Sequence, residues 1–180
     1  MRGRIILISG VSGAGKTTLV NLLLKEKKNL LRAISFTTRT PRTNEVDGKD
    51  YFFIEKKHFL KKVENGELLE YSEVYGDLYG TGLDSFKAIE EGKDVIKIID
   101  VQGALKLKNA GVKALYIFLK VPKKTVEKRL KERNEENTEN RLKEYENELK
   151  ASKVYDYVIT TGGSVKSIEK NVQKLRDIIN

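Results

Sequence analysis

The segment GVSGAGKT, residues Gly10–Thr17, matches the pattern G-x-x-x-x-G-K-[ST] and decides how this chain folds. It follows the short apolar run Ile5–Ile8 and leads into Leu19, Leu22 and Leu23 at helical spacing. Between a strand and a helix, glycine-rich backbone N–H groups and the helix N-terminus both attract phosphate oxygens. The alternative is a glycine-rich turn that binds nothing, but the Gly-Lys-Thr ending argues against it. The segment therefore predicts a site for a nucleoside triphosphate.

Two side chains of this loop have individual predicted roles. Lys16 is expected to reach the β- and γ-phosphates, and the Thr17 hydroxyl is expected to bind Mg²⁺. The other expected contacts to the triphosphate come from Gly10, Ser12, Gly13, Ala14, Gly15 and Thr18. The loop does not reveal which molecule accepts the phosphoryl group, so the acceptor must be sought elsewhere in the chain.

The composition indicates one globular domain. The chain has 180 residues, of which 39% are hydrophobic and 34% charged, so it can bury a sizeable core. No apolar run approaches the ~18–20 residues that a membrane span needs, and we expect no membrane partner. The absence of cysteine excludes disulfides and thiolate metal sites, and it is consistent with a reducing cytoplasm, which is the expected location.

The net charge of +9 has two interpretations. A basic face can bind nucleic acid, or part of the charge can serve a pocket for several phosphates while the rest is solvated lysine. Lysine clusters such as Lys25–Lys28 also contain glutamate and have no interleaved aromatic residues. This pattern favours a solvated surface, so we expect no nucleic-acid partner.

Strands that alternate with helices predict a parallel α/β sheet with right-handed crossovers. The predicted strands lie at about 4–9, 32–36, 51–54, 68–74, 95–100, 114–119 and 157–160. The predicted helices lie at 16–28, around 59–66, from a cap at Asp84 or Ser85 to Gly92, up to Gly111, from Pro122 to about 152, and at 165–179. The run 95–100 is expected to be buried on both faces. Short strands without long helices cluster at 36–83, so this insertion is a candidate lobe for the acceptor.

The first half of the insertion carries the chemistry needed for a phosphate monoester. Arg39 and Arg42 are three positions apart around Pro41, with Ser35 and Tyr51 in the same lobe. Two guanidinium groups and two hydroxyls can hold a dianionic monophosphate. An R-x-x-R pair can equally form surface salt bridges, and the spacing alone leaves both possibilities open.

The second half of the insertion carries a candidate reader of a base. The segment LLEYSEVYGDLYGT, residues 68–81, supplies Glu70, Tyr79 and Thr81. A carboxylate such as Glu70 can accept hydrogen bonds from both N1–H and the exocyclic amine of guanine. Adenine lacks both N1–H and an amine on C2, so it would place its N1 acceptor against the carboxylate.

These motifs together resemble the guanylate kinases. The resemblance is carried by the phosphate loop, by S-x-T-T-R-x-x-R-x-x-E-x-D-G-x-x-Y-x-F, by E-x-x-E-V-x-G-x-x-Y-G-T and by D-x-Q-G, in family order from about residue 5 to 159. It implies a P-loop-type parallel sheet flanked by helices, with an inserted GMP-binding lobe at about 35–83 and a helical lid at about 126–152. The core would then comprise 1–34, 84–125 and 153–180.

The resemblance also implies roles for individual residues. The GMP phosphate would be held by Ser35, Arg39, Arg42, Tyr51 and Tyr79. Glu70 and Thr81 would read the guanine, with Asp100 on the nucleoside side. In the lid, Arg133 and Arg141 would close over the transferred phosphoryl group, although a solvated charged helix is the simpler interpretation of this segment. Lys16, Arg39, Arg133 and Arg141 are thus the expected catalytic residues.

The implied reaction is MgATP plus GMP, and dGMP as well, giving ADP plus the nucleoside diphosphate. The sequence departs from the family at Ile98, where a first strand-four carboxylate is usual, and at Thr161, where an asparagine near adenine is usual. Two other functions are related possibilities: a kinase of ribose 1,5-bisphosphate, and a non-catalytic scaffold with a guanylate-kinase-like domain. Glu70 and Thr81 argue against the first, and the intact phosphate loop argues against the second. Oligomeric state is left open.

Overall fold

The computed structural model describes residues 2–132, 138–162 and 164–179. The strands are β1 (Ile5–Gly10), β2 (Leu30–Arg32), β3 (Ser35–Thr37), β4 (Phe52–Phe53), β5 (Leu68–Val74), β6 (Asp77–Gly82), β7 (Asp94–Ile98), β8 (Leu115–Lys120) and β9 (Tyr157–Thr160). The α-helices are α1 (Lys16–Glu26), α2 (Lys56–Glu64), α3 (Val101–Asn109), α4 (Lys123–Glu132), α5 (Thr138–Ala151) and α6 (Val165–Ile179). Two 3₁₀ helices lie at Leu83–Ile89 and Ser152–Val154.

The larger sheet has five strands in the order β2-β7-β1-β8-β9, all of them parallel. Ile6, Leu7 and Ile8 of β1 are fully buried, as a strand covered by helices on both faces requires. The predicted α/β class with a parallel sheet is confirmed. Within the three described ranges, no helix is long and apolar enough to cross a membrane.

The carboxyl end of β1 turns directly into the phosphate loop. Gly10 ends the strand with φ 138°, and a Cβ built there would lie 2.0 Å from the carbonyl oxygen of Leu119 on β8. Only glycine fits so close to a neighbouring strand. The loop is therefore fixed at the carboxyl edge of the sheet, where open α/β sheets bind their ligands.

The smaller sheet has four strands in the order β4-β3-β6-β5 and is built entirely from the insertion. β5 and β6 form a hairpin whose two turn residues, Tyr75 and Gly76, have φ of 54° and 89°. Positive φ at both positions is typical of a type I′ turn, which matches the twist of the flanking strands. α3 packs against β5 and so joins the smaller sheet to the larger one.

The single strand predicted at 32–36 is wrong, because the chain changes sheets within it. β2 pairs with β7 in the larger sheet, and this pairing ends where Ala33 N donates to Ile96 O at 2.9 Å. Ser35 then pairs antiparallel with Thr81 in the smaller sheet. β6 was not predicted at all, since its YGTG ending contains two glycines, which are uncommon inside strands.

Two further details differ from the sequence prediction. The segment after β6 is a 3₁₀ helix whose N-cap is Gly82, with no side-chain cap, so neither Asp84 nor Ser85 caps it. β7 is buried on both faces as predicted, but one of its buried side chains is the charged Lys97, which the apolar pattern did not predict. The closing helix, by contrast, has the predicted bounds, and its residues Val172 and Leu175 are buried.

Candidate active site

A cleft of about 240 Å³ lies between the phosphate loop and the smaller sheet. Most of the residues predicted from the sequence line this one cleft: Gly10, Ser12, Gly13, Ala14, Gly15, Lys16, Thr17, Thr18, Ser35, Arg39, Arg42, Tyr51, Glu70, Tyr79 and Asp100. Thr81 is buried behind it and contacts Glu70. Residues that are far apart in the sequence therefore meet because two sheets face each other.

The phosphate loop carries two cations at its surface. Lys16 Nζ donates to the carbonyl oxygens of Gly10 and Val11 at 2.7 and 3.1 Å, which places the ammonium group over the loop. Arg129 of α4 donates from Nη1 to the Gly13 carbonyl oxygen at 2.6 Å. Both positive charges therefore lie on this loop, an arrangement that suits an anionic ligand.

Arg39 lies at the centre of a polar cluster on the opposite wall. Its Nη2 donates to both carboxylate oxygens of Glu45, at 2.9 and 2.8 Å, and its Nε donates to the Tyr79 hydroxyl at 3.2 Å. Burial acts to lower the pKa of Arg39, but the hydrogen bonds to Glu45 and the neighbouring Tyr79 outweigh it and raise that pKa overall. The guanidinium is therefore permanently charged and held in a fixed plane.

Tyr51 and Tyr79 complete this wall. Their rings contact each other edge to face, with centroids 5.9 Å apart, and the Arg39 guanidinium lies 5.6 Å from the centroid of the Tyr51 ring. Burial, followed by the neighbouring Tyr79, raises the pKa of Tyr51. The Tyr51 hydroxyl thus stays protonated at neutral pH and can donate to an anion.

Glu70 lies deeper in the cleft within a buried polar network. Thr81 Oγ1 donates to Glu70 Oε1 at 2.8 Å, and Lys97 Nζ lies 3.1 Å from the same oxygen. Lys97 Nζ also donates to Ser35 Oγ at 2.9 Å. The network joins three strands of the smaller sheet to β7 of the larger one.

Asp100 caps α3 at the carboxyl end of β7. Its Oδ1 accepts from Gly103 N at 2.8 Å, and its Oδ2 accepts from Ser72 Oγ at 2.6 Å. Both oxygens therefore already have a protein donor, which fixes the carboxylate at the edge of the cleft. Asp100 is thus a structural cap as well as a lining residue.

The comparisons with known proteins agree with this geometry. The sequence model of the guanylate kinase family matches residues 2–180. The chain belongs to the guanylate kinase family. It is 41% identical over 182 residues to the guanylate kinase of Thermotoga maritima, covering 98% of this chain and 87% of that protein. The guanylate kinase of Caldanaerobacter subterraneus subsp. tengcongensis is 39% identical over 183 residues, covering 99% of this chain and 87% of that protein.

A solved structure gives the same result at the level of the fold. The crystal structure of guanylate kinase from Anaplasma phagocytophilum superimposes with a TM-score of 0.77 and is 30% identical, covering 98% of this chain and 84% of that chain. The family resemblance inferred from the motifs is thereby confirmed. The roles of the individual residues remain predictions.

Few protein groups in the cleft could hold a metal ion. Thr17 lines the cleft, whereas the Ile98 side chain has no ligand atom and each Asp100 carboxylate oxygen already accepts a hydrogen bond. Within residues 2–132, 138–162 and 164–179, no group of three or more His, Cys, Asp or Glu side chains could hold a metal ion. This donor set fits Mg²⁺ arriving with a nucleotide, because that ion keeps several waters and takes few protein ligands.

The lid residues predicted from the sequence are only partly described. Arg133 lies outside the described residues, and Arg141 lies in α5, where its side chain is not described. Glu148 of α5 does line the cleft, so this helix reaches the site. Tyr145 anchors it to the core by donating from its hydroxyl to the Val121 carbonyl oxygen at 2.8 Å.

Sequence reasoning did not assign a role to three residues that the structure places in these networks: Glu45, Ser72 and Lys97. Lys97 did carry a signal, because a lysine inside the apolar run Asp94–Ile98 must be paired if the strand is buried. Glu45 is the glutamate of the motif S-x-T-T-R-x-x-R-x-x-E, but its contact with Arg39 depends on the fold of an irregular loop, which the motif alone does not specify.

Proposed function

We propose that this chain transfers the γ-phosphoryl group of ATP to GMP, and also to dGMP, giving ADP and the nucleoside diphosphate. The observation that carries the proposal is that Glu70, which accepts a hydrogen bond from the buried Thr81, lines the same cleft as the phosphate loop. One wall therefore suits a triphosphate and the other suits a guanine nucleotide. The names of the relatives support the same reaction.

On the donor side, the backbone of Gly10–Thr18 would surround the ATP phosphates, and Lys16 would move from the loop carbonyls to the β- and γ-phosphates. Mg²⁺ would be held by phosphate oxygens and by the Thr17 hydroxyl. When bound, the ion neutralises charge on the phosphates. Arg129, already on the loop at Gly13, adds a further positive charge to this wall.

On the acceptor side, the GMP phosphate would be held by Ser35, Arg39, Arg42, Tyr51 and Tyr79, all of which line the cleft. Arg39 is fixed by Glu45 and Tyr79, so little rotamer freedom is lost when a phosphate binds. Asp100 would lie on the nucleoside side. In this scheme residues 35–83 form the acceptor lobe, and the core comprises 1–34, 84–125 and 153–180.

The transfer itself needs positioning and charge neutralisation rather than a general base. The acceptor phosphate is already an anionic nucleophile, so the enzyme has to hold its oxygen in line with the γ-phosphorus. Lys16 would neutralise the developing charge from the loop, and Arg39 would fix the acceptor. We propose that Arg133 and Arg141 of the lid at 126–152 complete the site and exclude water.

Selection of guanine rests on Glu70 in this proposal. Replacing Glu70 by glutamine puts an N–H₂ donor where guanine presents its own donors, and it leaves the Lys97 ammonium buried without its counter-charge. We expect kcat/KM for GMP to fall by roughly 10²-fold or more, because a site built on hydrogen bonds loses strongly when a buried pair is mismatched. The KM for ATP is expected to change little.

The matched control for this substitution is Glu67→Gln. Glu67 forms an ion pair with Lys62 and immediately precedes β5, the strand that carries Glu70, but it does not line the cleft. The Glu67→Gln variant should leave kcat/KM for GMP and KM for ATP unchanged. Equal losses for GMP and ATP in Glu70→Gln would contradict the assignment of Glu70 to the base.

Gly103 is expected to be needed for the shape of the base site. A Cβ on this helical residue would lie 3.0 Å from Glu70 Oε2 and 3.0 Å from Ile99 Cγ1, so Gly103→Ala must displace one of them. We expect KM for GMP to rise roughly tenfold through this overpacking. The thermal unfolding midpoint should be measured alongside, and an unchanged KM with a lowered midpoint would show that Ile99 moves and Glu70 does not.

The experiment that tests the proposed function is an acceptor panel. The chain, MgATP and one of GMP, dGMP, AMP or ribose 1,5-bisphosphate are assayed for ADP formation. We expect GMP and dGMP to be phosphorylated and AMP to be a far weaker acceptor. Phosphorylation of the sugar bisphosphate alone would overturn the proposal in favour of the related sugar kinase. No turnover of any acceptor, with nucleotide binding retained, would favour a scaffold.

We also propose that the positive charge serves the cleft and the solvated surface rather than a nucleic acid or a membrane, and that the protein is cytoplasmic. The cations Lys16, Arg39, Arg42 and Lys97 all line the cleft, which accounts for part of the excess. Retention of a labelled oligonucleotide at physiological salt would contradict this use of the charge.

A further inference from the structure

Lys97 is a buried cation at a position where the apolar pattern of the strand predicts an apolar residue. It lies on β7 between Ile96 and Ile98, and its side chain is only 3% exposed. Lysine is almost never fully buried unless it is paired, because an isolated buried ammonium is costly. Its partners therefore indicate why the chain carries it there.

The partners of Lys97 are two residues of the proposed GMP site. Its Nζ lies 3.1 Å from Glu70 Oε1, on a side chain that is 5% exposed, and donates to Ser35 Oγ at 2.9 Å. Thr81 Oγ1 donates to the same Glu70 oxygen and lies 3.4 Å from Ser35 Oγ. The four side chains form a closed ring of contacts in which Lys97 is the only cation and Glu70 the only anion.

From this geometry we infer that Lys97 is a positioning residue that sets base specificity by holding the Glu70 carboxylate in a fixed orientation. The inference rests on the proposed function, since it concerns the same acceptor site. A base such as guanine brings no charge of its own to balance a buried carboxylate. The protein has to supply that balance, and Lys97 is placed to do so.

The hydrogen-bonding capacity of Glu70 supports this role. An ionised carboxylate has about four acceptor positions. Thr81 and Lys97 fill two of them, both on Oε1. The remaining two match the two donors that guanine presents, N1–H and the exocyclic amine. The same ring of contacts thus both fixes the carboxylate and leaves the acceptors that guanine needs.

Loss of the charge on Lys97 would alter which base fits. The ammonium contacts Oε1 of Glu70, and without it the carboxylate keeps only the Thr81 hydroxyl to orient it on that oxygen. Guanine depends on this orientation because it presents two donors to the carboxylate at once, whereas adenine has no N1–H to present. The ammonium of Lys97 therefore favours guanine, and removing it should weaken binding of GMP more than binding of AMP.

The test compares Lys97→Met with the unaltered chain, using binding of GMP and AMP by titration calorimetry together with KM and kcat for GMP and ATP. We expect the ratio of the Kd for AMP to the Kd for GMP to fall roughly tenfold to a hundredfold, because a buried ion pair is lost. The effect should lie in KM for GMP, with KM for ATP unchanged. Lys97→Arg should restore most of the preference, because it keeps the charge.

Two further variants separate positioning from a merely structural role. Lys108→Met removes an ion-paired lysine, the partner of Asp156, outside the cleft, and it should leave the preference unchanged. The double variant Glu70→Gln with Lys97→Met should match Glu70→Gln alone, because no carboxylate is left to hold. This second comparison applies even when Lys97→Met by itself does not fold.

The inference is overturned when folded Lys97→Met keeps the preference of the unaltered chain, or when the double variant loses more preference than Glu70→Gln alone. An equal loss of affinity for GMP and AMP would also overturn it. Binding does not require turnover, so a chain that prefers GMP but transfers no phosphoryl group would contradict the proposed function and leave this inference standing. A chain without any preference for GMP would contradict both.

Discussion

Lys16→Ala is expected to lower kcat by at least ~10³-fold, because the lysine would neutralise charge that develops on the transferred phosphoryl group. Lys16 Nζ already lies over the phosphate loop, 2.7 Å from the Gly10 carbonyl oxygen. The Kd for GMP should change little, since the acceptor is proposed to bind on the opposite wall. Steady-state kinetics with calorimetry for GMP measures both quantities.

The matched control is Lys25→Ala, in the last turn of the same helix and exposed to solvent. It removes the same side chain from α1 without touching the cleft, and near-normal kcat is expected. A Lys16→Ala enzyme that kept a near-normal kcat would contradict the assignment of the loop to the phosphate donor. A large loss of GMP binding in that variant would show that the two walls are not independent.

Arg39→Ala is expected to weaken binding of GMP by roughly 10²- to 10³-fold, because it removes the guanidinium that is proposed to hold the acceptor phosphate. It would also leave Glu45 without the partner that both of its carboxylate oxygens now contact. We expect kcat to fall as well, since the acceptor oxygen loses its fixed position. The measurement is KM and kcat for GMP, with KM for ATP as the internal reference.

Arg39→Lys keeps the charge but not the planar fork, so an intermediate loss is expected. Arg176→Ala serves as the remote control, because this arginine pairs with Glu26 between α6 and α1, away from the cleft. If Arg39→Ala raised KM for ATP and GMP equally, the arginine would have a general structural role and not a specific one at the acceptor.

The core of the fold could be predicted because its signals are local. The apolar run Ile5–Ile8 and the glycine loop after it specify a buried strand and a helix start without help from distant residues. The same holds for the closing helix Val165–Ile179, whose apolar positions repeat every three or four residues. The candidate site residues were found from motifs, and the structure brings those it describes into or directly against one cleft.

What could not be predicted depends on contacts between distant segments. β6 ends in YGTG, which has little strand propensity, and it exists because it pairs on both sides, with β3 and with β5. The break between β2 and β3 has the same origin, since Ala33 and Ser35 pair with different sheets. The local sequence of a strand does not specify which distant strand it pairs with.

The ion pairs of the buried charged residues could not be predicted from the sequence either, and they position groups of the candidate site. Lys97 lies in an otherwise apolar strand, and only the position of Glu70 on a different sheet explains it. Glu45 fixes Arg39 from an irregular loop, where no periodicity places it. Each of these charges is stable only because its partner is held by another element, so the pair is a property of the fold.

The most direct test of the central claim follows the phosphoryl group itself. The chain is incubated with MgATP labelled at the γ-phosphorus and with GMP, and the products are separated by anion exchange. We expect the label to appear in GDP, with ADP formed in equal amount and little free phosphate released. Label that stays in ATP, or that appears as inorganic phosphate at the same rate with and without GMP, would contradict the claim.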